Sequence, residues 1–156
     1  MTHLAPDVLA HTKKLVEAIQ TCMITHLTPE GRLMSRPMTC LKVDENGELW
    51  FLASDDSEQT ASLDQDENVN LAFAAPRDST YLSITATAKI LKNPAKIDEL
   101  WNSKTATWFQ NGKNDPHLCL IQVTPISSDF WDSPALKRTR PFKLKKANTD
   151  RGLNAH

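Results

Sequence analysis

The strongest constraint on the fold is a tight turn between two segments of alternating polarity. The tetrapeptide Asp44-Glu45-Asn46-Gly47 separates an extended segment over residues 32–43 from another over residues 48–53. Because Asn-Gly readily adopts the positive φ angles of a hairpin turn, the two segments are expected to pair antiparallel. Further short segments with strand character lie at residues 23–27, 68–74, 80–92 and 118–123. About six strands are therefore predicted.

Helical periodicity is confined to short segments around these strands. One helix is expected over residues 6–22, and Ser57 is expected to cap a second helix that ends near Asp64. Two more are predicted at residues 94–101 and 104–109, and Pro125 is expected to close the last strand. Few strands, tight turns and no long alternation of strand and helix predict a mainly β fold, an antiparallel barrel with peripheral helices.

Several classes of site are excluded by missing motifs. The four glycines stand at positions 31, 47, 112 and 152, so no glycine-rich phosphate loop of the P-loop or Rossmann type can form. No HExxH or GxSxG motif is present, and no catalytic side chain or metal site is predicted. The three cysteines are expected to be reduced core thiols: Cys22, Cys40 and Cys119.

Length and charge indicate one domain followed by a basic tail. Residues 136–156 carry seven basic side chains and one acidic side chain, a net +6, which leaves the preceding residues at −7. A barrel domain over residues 1–135 and a mobile tail over 136–156 are expected, with no nucleic-acid partner because the negative body repels phosphate backbones. The longest apolar runs, about five residues, are too short to span a bilayer, and no secretory signal is visible. A cytoplasmic location with no membrane partner is therefore expected.

Two strings on either side of the hairpin turn carry the residues best suited to bind an anion. The string Ser35-Arg36-Pro37-Met38 offers a permanently charged, planar side chain, and Pro37 predicts an edge strand or a bulge because it lacks an N–H group. The string at residues 50–57 ends a strand with hydroxyl groups at the start of a helix, where free N–H groups bind phosphate. The hairpin is expected to place the two strings side by side.

An ordered set of strings resembles a known family. The chain is similar, from residue 8 to about residue 133, to the general stress protein branch of the pyridoxamine 5′-phosphate oxidase-like superfamily. The strings that carry the resemblance are Gly31–Met38, Gly47–Ser54, Asn68–Phe73, Tyr81–Ala86, Lys96–Trp101, Trp108–Lys113, Val123–Pro125 and Phe130–Asp132. Each string alone is unspecific, whereas their order over most of the chain is specific.

The resemblance implies a six-stranded antiparallel split β-barrel that holds FMN between the subunits of a homodimer. Its implied cofactor contacts fall into three groups. Along the flavin and its chain lie Arg36, Pro37 and Met38. At the ribityl phosphate lie Ala53, Ser54 and Ser57. Trp108 and Trp131 are expected to contribute from the partner subunit.

The function implied by the resemblance is that of an FMN-dependent, stress-related oxidoreductase whose substrate the sequence does not identify. A non-catalytic flavin carrier or sensor stays open. So does a split-barrel binder of another planar cofactor, such as haem, for which His26 and His117 are the only histidines in ordered-looking segments. Because a histidine within a strand is more often structural than a ligand, His26 is otherwise expected to have its hydrogen bonds satisfied within the fold.

Three departures from the family pattern concern specificity. Gln59 stands where the family usually has a basic residue for the phosphate, and Glu58 beside it would repel a phosphate. Ala86 replaces a common glycine, which affects packing more than chemistry. The tail lacks the arginine and histidine motif with which pyridoxamine phosphate oxidases bind substrate, so that specific reaction is not expected.

Overall fold

A computed structural model describes residue 2, residues 4–132 and the backbone of residues 138–139. The four helices are α1 (Pro6–Ile19), α2 (Glu58–Gln65), α3 (Pro94–Leu100) and α4 (Ser103–Trp108). The eight strands are β1 (Thr21–Leu27), β2 (Leu33–Thr39), β3 (Lys42–Val43), β4 (Leu49–Ser54), β5 (Asn68–Ala75), β6 (Thr80–Leu91), β7 (Leu118–Trp131) and β8 (Arg138–Thr139). Apart from β8, the predicted tail at residues 136–156 lies outside the described residues.

One curled antiparallel sheet forms the body of the molecule. Its strand order is β2-β1-β5-β6-β7-β4-β3, with β8 paired to β7. The chain passes from β2 at one edge to β3 at the other through residues 40–41 alone, so the sheet must curl into a barrel. Six of the eight strands have six or more residues, and the other two have two residues each. The prediction of a mainly β, antiparallel split barrel with peripheral helices is confirmed.

The predicted hairpin turn is present between β3 and β4, but the predicted pairing of the whole segment 32–43 with β4 is wrong, because β2 pairs with β1 and only Lys42 and Val43 pair with β4. The hairpin therefore does not place the two predicted site strings side by side. Gly47 has φ +81°, and its N–H group donates to the carbonyl oxygen of Asp44 at 3.0 Å. One carboxylate oxygen of Asp44 accepts from the N–H groups of Asn46 and Glu48, and the other accepts from Nε1 of Trp50 at 2.9 Å. The turn is therefore stabilised by the aspartate side chain as well as by the left-handed glycine.

The last long strand does not end at Pro125, so that prediction is wrong. Strand β7 continues through Pro125 to Trp131 and pairs with β6 along this second half. The pairing register shifts between Thr85 and Ala86, opposite Pro125. A bulge of this kind tolerates the missing proline N–H group without ending the ladder.

The core fills the barrel and a smaller cluster outside it. Inner-face side chains of β1, β4, β5, β6 and β7 form the main core with one face of α1 and Leu63 of α2. The second cluster packs α3 against the opposite face of β4 and β7, through side chains such as Trp50, Leu52 and Leu100. The three cysteines are buried free thiols, as predicted, and burial raises the pKa of Cys40 to about 12 and that of Cys119 to about 11. No helix in the described part of the chain is long and apolar enough to cross a membrane.

Candidate functional site

A cavity of about 260 Å³ lies beside β2 and brings together part of the predicted site. Its lining consists of Thr21, Arg36, Pro37, Met38, Thr39, Leu41, Leu52, Trp108 and Phe109. Four predicted site residues, Arg36, Pro37, Met38 and Trp108, are thus side by side in one chain. Trp108 is 49% exposed at the end of α4, which makes one aromatic surface available at the cavity. The walls are mostly apolar and carry one charged group, that of Arg36.

The pairing of β2 with β1 decides which way these side chains face. β2 is an edge strand, as the proline predicts, and Arg36 lies opposite Ile24 of β1. Because directly opposed residues share a face, Arg36 lies on the same face as the buried Ile24 but is itself exposed at the sheet edge, whereas Pro37 lies opposite Met23 on the outer face. Arg36 makes no ion pair or hydrogen bond with any described residue, so its guanidinium donors are free for a ligand.

The start of α2 forms a second group of predicted site residues. Ser57 caps the helix as predicted, and its Oγ accepts from the N–H group of Thr60 at 3.2 Å. Ala53 is buried in β4, and Ser54 ends that strand. None of these residues lines the cavity that holds Arg36.

A surface ion network fixes the loop that leads into α2. Asp55 pairs with Lys92 and contacts Nδ1 of His117 at 2.9 Å. The Lys92 contact, followed by the His117 contact, holds the pKa of Asp55 below its usual value, and Asp55 in turn raises the pKa of His117. The backbone N–H group of Asp55 also donates to the carbonyl oxygen of His117 at 2.8 Å. The position of the α2 start relative to β7 is therefore well defined.

Gln59, in the first turn of α2, is buried and has no polar partner. It is 2% exposed, and neither its Oε1 nor its Nε2 atom has a hydrogen-bond partner. The sequence prediction treated this residue only as a replacement for a basic side chain. Its burial is a finding of the structure, since a polar residue at a helix start is ordinarily exposed.

His26 is a candidate flavin-binding residue, whereas the sequence interpretation named it only as a structural histidine or a possible haem ligand. It is 3% exposed, and both ring nitrogens are without a partner, which contradicts the expectation of a satisfied structural histidine. It stands on the inner face of β1, in the buried series with Cys22 and Ile24. The alternation of β1 predicts its burial, but only the tertiary structure shows that nothing bonds to it.

His26 lies on β1, which pairs with β2 and contacts α2, so it stands between the two elements that carry the predicted site residues. Burial lowers the pKa of His26, Glu58 at the start of α2 raises it, and Arg36 lowers it. The net direction is downward, so His26 is neutral at pH 7 in the protein alone. Protonation of His26 then favours the unfolded chain. The free energy of unfolding should therefore decrease as the pH falls below the ordinary histidine pKa of 6.5.

Trp131 does not line the cavity and lies instead on the outer face of the sheet, opposite Tyr81 of β6. Three neighbouring cross-strand rows on β1, β2, β5, β6 and the second half of β7 are called the outer face here; the same side of β6 continues beyond them to the exposed Lys89. Their members are Thr21, Thr39, Ala74, Tyr81 and Trp131; Met23, Pro37, Ala72, Ser83 and Asp129; and Thr25, Ser35, Asn70, Thr85 and Ser127. Asp129 is the one charged residue among the fifteen.

A larger open groove of about 650 Å³ lies beside α3, away from these residues. Both lysines in its lining are already paired, Lys113 with Asp98 and Lys92 with Asp55. The smaller cavity with its free arginine is therefore the better candidate site. No group of three or more His, Cys, Asp or Glu side chains within the described residues could hold a metal ion.

Known proteins with this fold and sequence pattern form one family. The family model described as "Pyridoxamine 5'-phosphate oxidase like" matches residues 7–153. General stress protein 26 of Bacillus subtilis is 25% identical over 122 residues, which cover 76% of this chain and 79% of that protein. Protein bli-3 of Neurospora crassa is 25% identical over 117 residues, and the match spans 69% of this chain but only 56% of that protein's length.

Solved structures agree with the sequence comparison. The general stress FMN/FAD binding protein of Xanthomonas citri is 27% identical, with a TM-score of 0.70 and coverage of 90% of this chain and 100% of that one. A protein of Clostridium acetobutylicum related to general stress protein 26 shares the fold, with a TM-score of 0.74 at 19% identity, over 93% of this chain and 99% of that one. Because the family model covers nearly the whole chain, the chain belongs to the pyridoxamine 5′-phosphate oxidase-like family.

Proposed function

We propose that this chain binds FMN and acts as a flavin-dependent oxidoreductase. The observation that carries the proposal is a free arginine in an apolar cavity, on the strand beside a buried histidine that lacks hydrogen-bond partners. The Xanthomonas citri protein, 27% identical to this chain, is described as FMN/FAD binding, which supports a flavin ligand. The relationship to general stress protein 26 supports a role under stress conditions.

The cavity suits the ring end of a flavin. Met38, Leu41 and Leu52 offer apolar contacts, and the exposed ring of Trp108 offers a stacking surface. At about 260 Å³ the cavity is below the roughly 300–1,000 Å³ of pockets that enclose a ligand. One chain therefore supplies part of the wall, which agrees with a site completed by a second subunit.

The phosphate end of FMN fits the start of α2. A helix N-terminus favours an anion, and Ser57 and Gln59 add side-chain groups able to bond phosphate oxygens. Arg36 lies opposite Ile24 of β1, and α2 packs on β1, so the charge of Arg36 is carried by the strand next to the one on which α2 rests. Charge-assisted bonds are about twice as strong as neutral ones, which makes Arg36 the main attraction for the phosphate.

The protein's own part in the chemistry is to bind and orient the flavin. When bound, FMN supplies the electron and hydride transfer. Arg36 is the one ionisable side chain that lines the cavity, so the protein's proposed contribution is position, a fixed positive charge and exclusion of water. Reduction of the loaded protein by NADH or NADPH tests this role, because a carrier or sensor would not be reduced.

The outer face of the sheet supports a homodimer. It carries one charged residue among fifteen, whereas free protein surfaces are rich in charge and interface cores are depleted of it. Thr21, Pro37 and Thr39 belong both to this face and to the cavity wall. A second copy seated on the outer face would therefore also cover the cavity, and Trp131 could then reach the ligand of the partner subunit.

Titration of the flavin-free protein tests the proposal. We expect FMN to bind at least about tenfold more tightly than riboflavin, which lacks the phosphate, because one charge-assisted bond contributes roughly 1.5–3 kcal/mol. Flavin fluorescence quenching measures both affinities. Failure to bind either flavin would reject the proposed function.

Replacement of Gln59 by lysine tests the orientation of α2. Gln59→Lys is expected to tighten FMN by about tenfold and to make its affinity more sensitive to salt, because the new ammonium pairs with the phosphate. Riboflavin affinity should stay almost constant. The flavin-free variant should melt at a lower temperature, since Gln59 is buried and a charge there is costly to desolvate. An unchanged FMN affinity would show that the start of α2 does not face the phosphate.

A further inference from the structure

The buried side-chain N and O atoms without partners in the described residues all belong to two side chains. They are the two ring nitrogens of His26 and the two amide atoms of Gln59. The elements that carry them pack together, since α2 rests on β1 and β6. The other polar groups at the start of α2 are satisfied: Thr60 Oγ1, for example, donates to the carbonyl oxygen of Ser54 at 3.1 Å. The unmet bonding capacity is thus concentrated in one place.

This concentration has no explanation in the stability of the fold. A buried polar group without a partner destabilises a protein, whereas an apolar side chain of similar shape would be neutral or stabilising there. His26 follows Cys22 and Ile24 in the buried series of β1, where a further apolar residue would fit the pattern. Polar atoms in such a position indicate a partner that is not part of the chain.

We propose that His26 and Gln59 bind the phosphate group of FMN, with His26 taking over the role of the basic residue that the family usually has at position 59. The inference rests on the proposed function, because it assigns residues to the same flavin site. His26 lies on the inner face of β1, next to the row that holds Ile24 and Arg36. Donor groups of His26 and Gln59 and the charge of Arg36 would then surround the anion from β1, α2 and β2.

Binding of FMN at this place is coupled to protonation of His26. Among the described residues, the charged groups that act on His26 are Glu58 of α2 and Arg36 of β2, while its partners across the strands, Met34 and Val69, carry no charge. A phosphate dianion beside the ring stabilises imidazolium, so His26 takes up a proton from solvent when FMN binds. The affinity of the wild-type protein for FMN should therefore rise as the pH falls towards 6, relative to a variant without the histidine.

The test compares FMN with riboflavin in His26→Leu at pH 6 and pH 8. His26→Leu is expected to melt at a higher temperature than the wild type without flavin, because it removes two unpartnered buried atoms. It should lower the preference for FMN over riboflavin by about tenfold at pH 6 and by less at pH 8. His26→Gln keeps a neutral donor, so it should keep most of the FMN affinity at pH 8 and lose the extra gain at pH 6.

Thr12→Val is the matched control for a buried polar side chain. The Thr12 hydroxyl donates to Ser128 Oγ at 2.9 Å, so this group already has its partner. The variant should melt at a lower temperature and keep the wild-type preference for FMN. The opposite signs of the two thermal shifts separate a ligand-binding residue from a structural one.

Three outcomes distinguish failure of this inference from failure of the proposed function. A wild-type protein that prefers FMN, together with a His26→Leu variant that keeps the full preference at both pH values, would overturn this inference alone. The same holds for a His26→Leu variant that loses FMN and riboflavin equally. A wild-type protein that binds neither flavin would reject the proposed function and the assignment of His26 with it.

Discussion

Replacement of Arg36 by alanine should weaken FMN by about ten- to a hundredfold and leave riboflavin almost unchanged. Arg36 is the one charged side chain in the wall of the candidate cavity, and no described residue neutralises it. Hydrogen bonds to charged groups contribute roughly 1.5–3 kcal/mol, and each 1.4 kcal/mol corresponds to a factor of ten. The measurement is titration of the flavin-free variant with each flavin, in which quenching of flavin fluorescence reports binding.

Arg32→Ala serves as the matched control for a change in net charge. Arg32 is exposed just before β2 and does not line the cavity, so its loss should leave the preference for FMN nearly constant. If Arg36→Ala weakens riboflavin as much as FMN, Arg36 contacts the ring or supports the strand, and its assignment to the phosphate is wrong. Equal effects of the two arginine variants on FMN would point to long-range attraction instead of a contact.

A single charge in the outer face should abolish the dimer. Ala72 stands in the middle row of the outer face, between Met23 and Ser83, and its side chain is exposed. Two-fold symmetry places every interface substitution in the contact twice. Like charges brought together at an interface cost several kcal/mol, so Ala72→Glu should raise the dimer dissociation constant by about a hundredfold or more.

Sedimentation at micromolar concentration measures this effect. The wild type is expected at about twice the chain mass of 17.5 kDa and Ala72→Glu at the mass of one chain. Ala18→Glu introduces the same charge on the exposed side of α1 and should remain a dimer. FMN affinity should fall in Ala72→Glu, because in the proposed dimer the partner subunit would cover the cavity. A dimeric Ala72→Glu variant would place the interface elsewhere, and a monomeric wild type would remove the interfacial site altogether.

The features of this fold that follow from the sequence are local. The Asn46-Gly47 turn, the Ser57 cap and the edge position of Pro37 each depend on residues that are neighbours in the chain. Their physical causes, a left-handed glycine, a side chain that accepts an amide hydrogen bond and a missing N–H group, act over a few residues. These predictions were correct for that reason.

What the sequence could not show depends on strand register. The continuation of β7 past Pro125 requires the bulge opposite Thr85 and Ala86, which exists only once β6 and β7 are paired. The burial of Gln59 depends on how α2 packs over β1 and β6. The unmet bonding capacity of His26 is likewise a property of the assembled barrel, because a residue that is polar in sequence shows nothing about its partners. The sequence therefore located the site on β2 and α2 but did not assign the histidine between them to flavin binding.

The identity of the flavin carried by the purified protein tests the central claim most directly. We expect a yellow protein with flavin absorbance, and denaturation should release FMN, about one molecule per chain, because a two-fold dimer holds two equivalent sites. Chromatography against FMN, FAD and riboflavin standards identifies the released compound. Release of FAD or of another planar cofactor, or a protein that carries no flavin and takes up none when FMN is added, would contradict the claim.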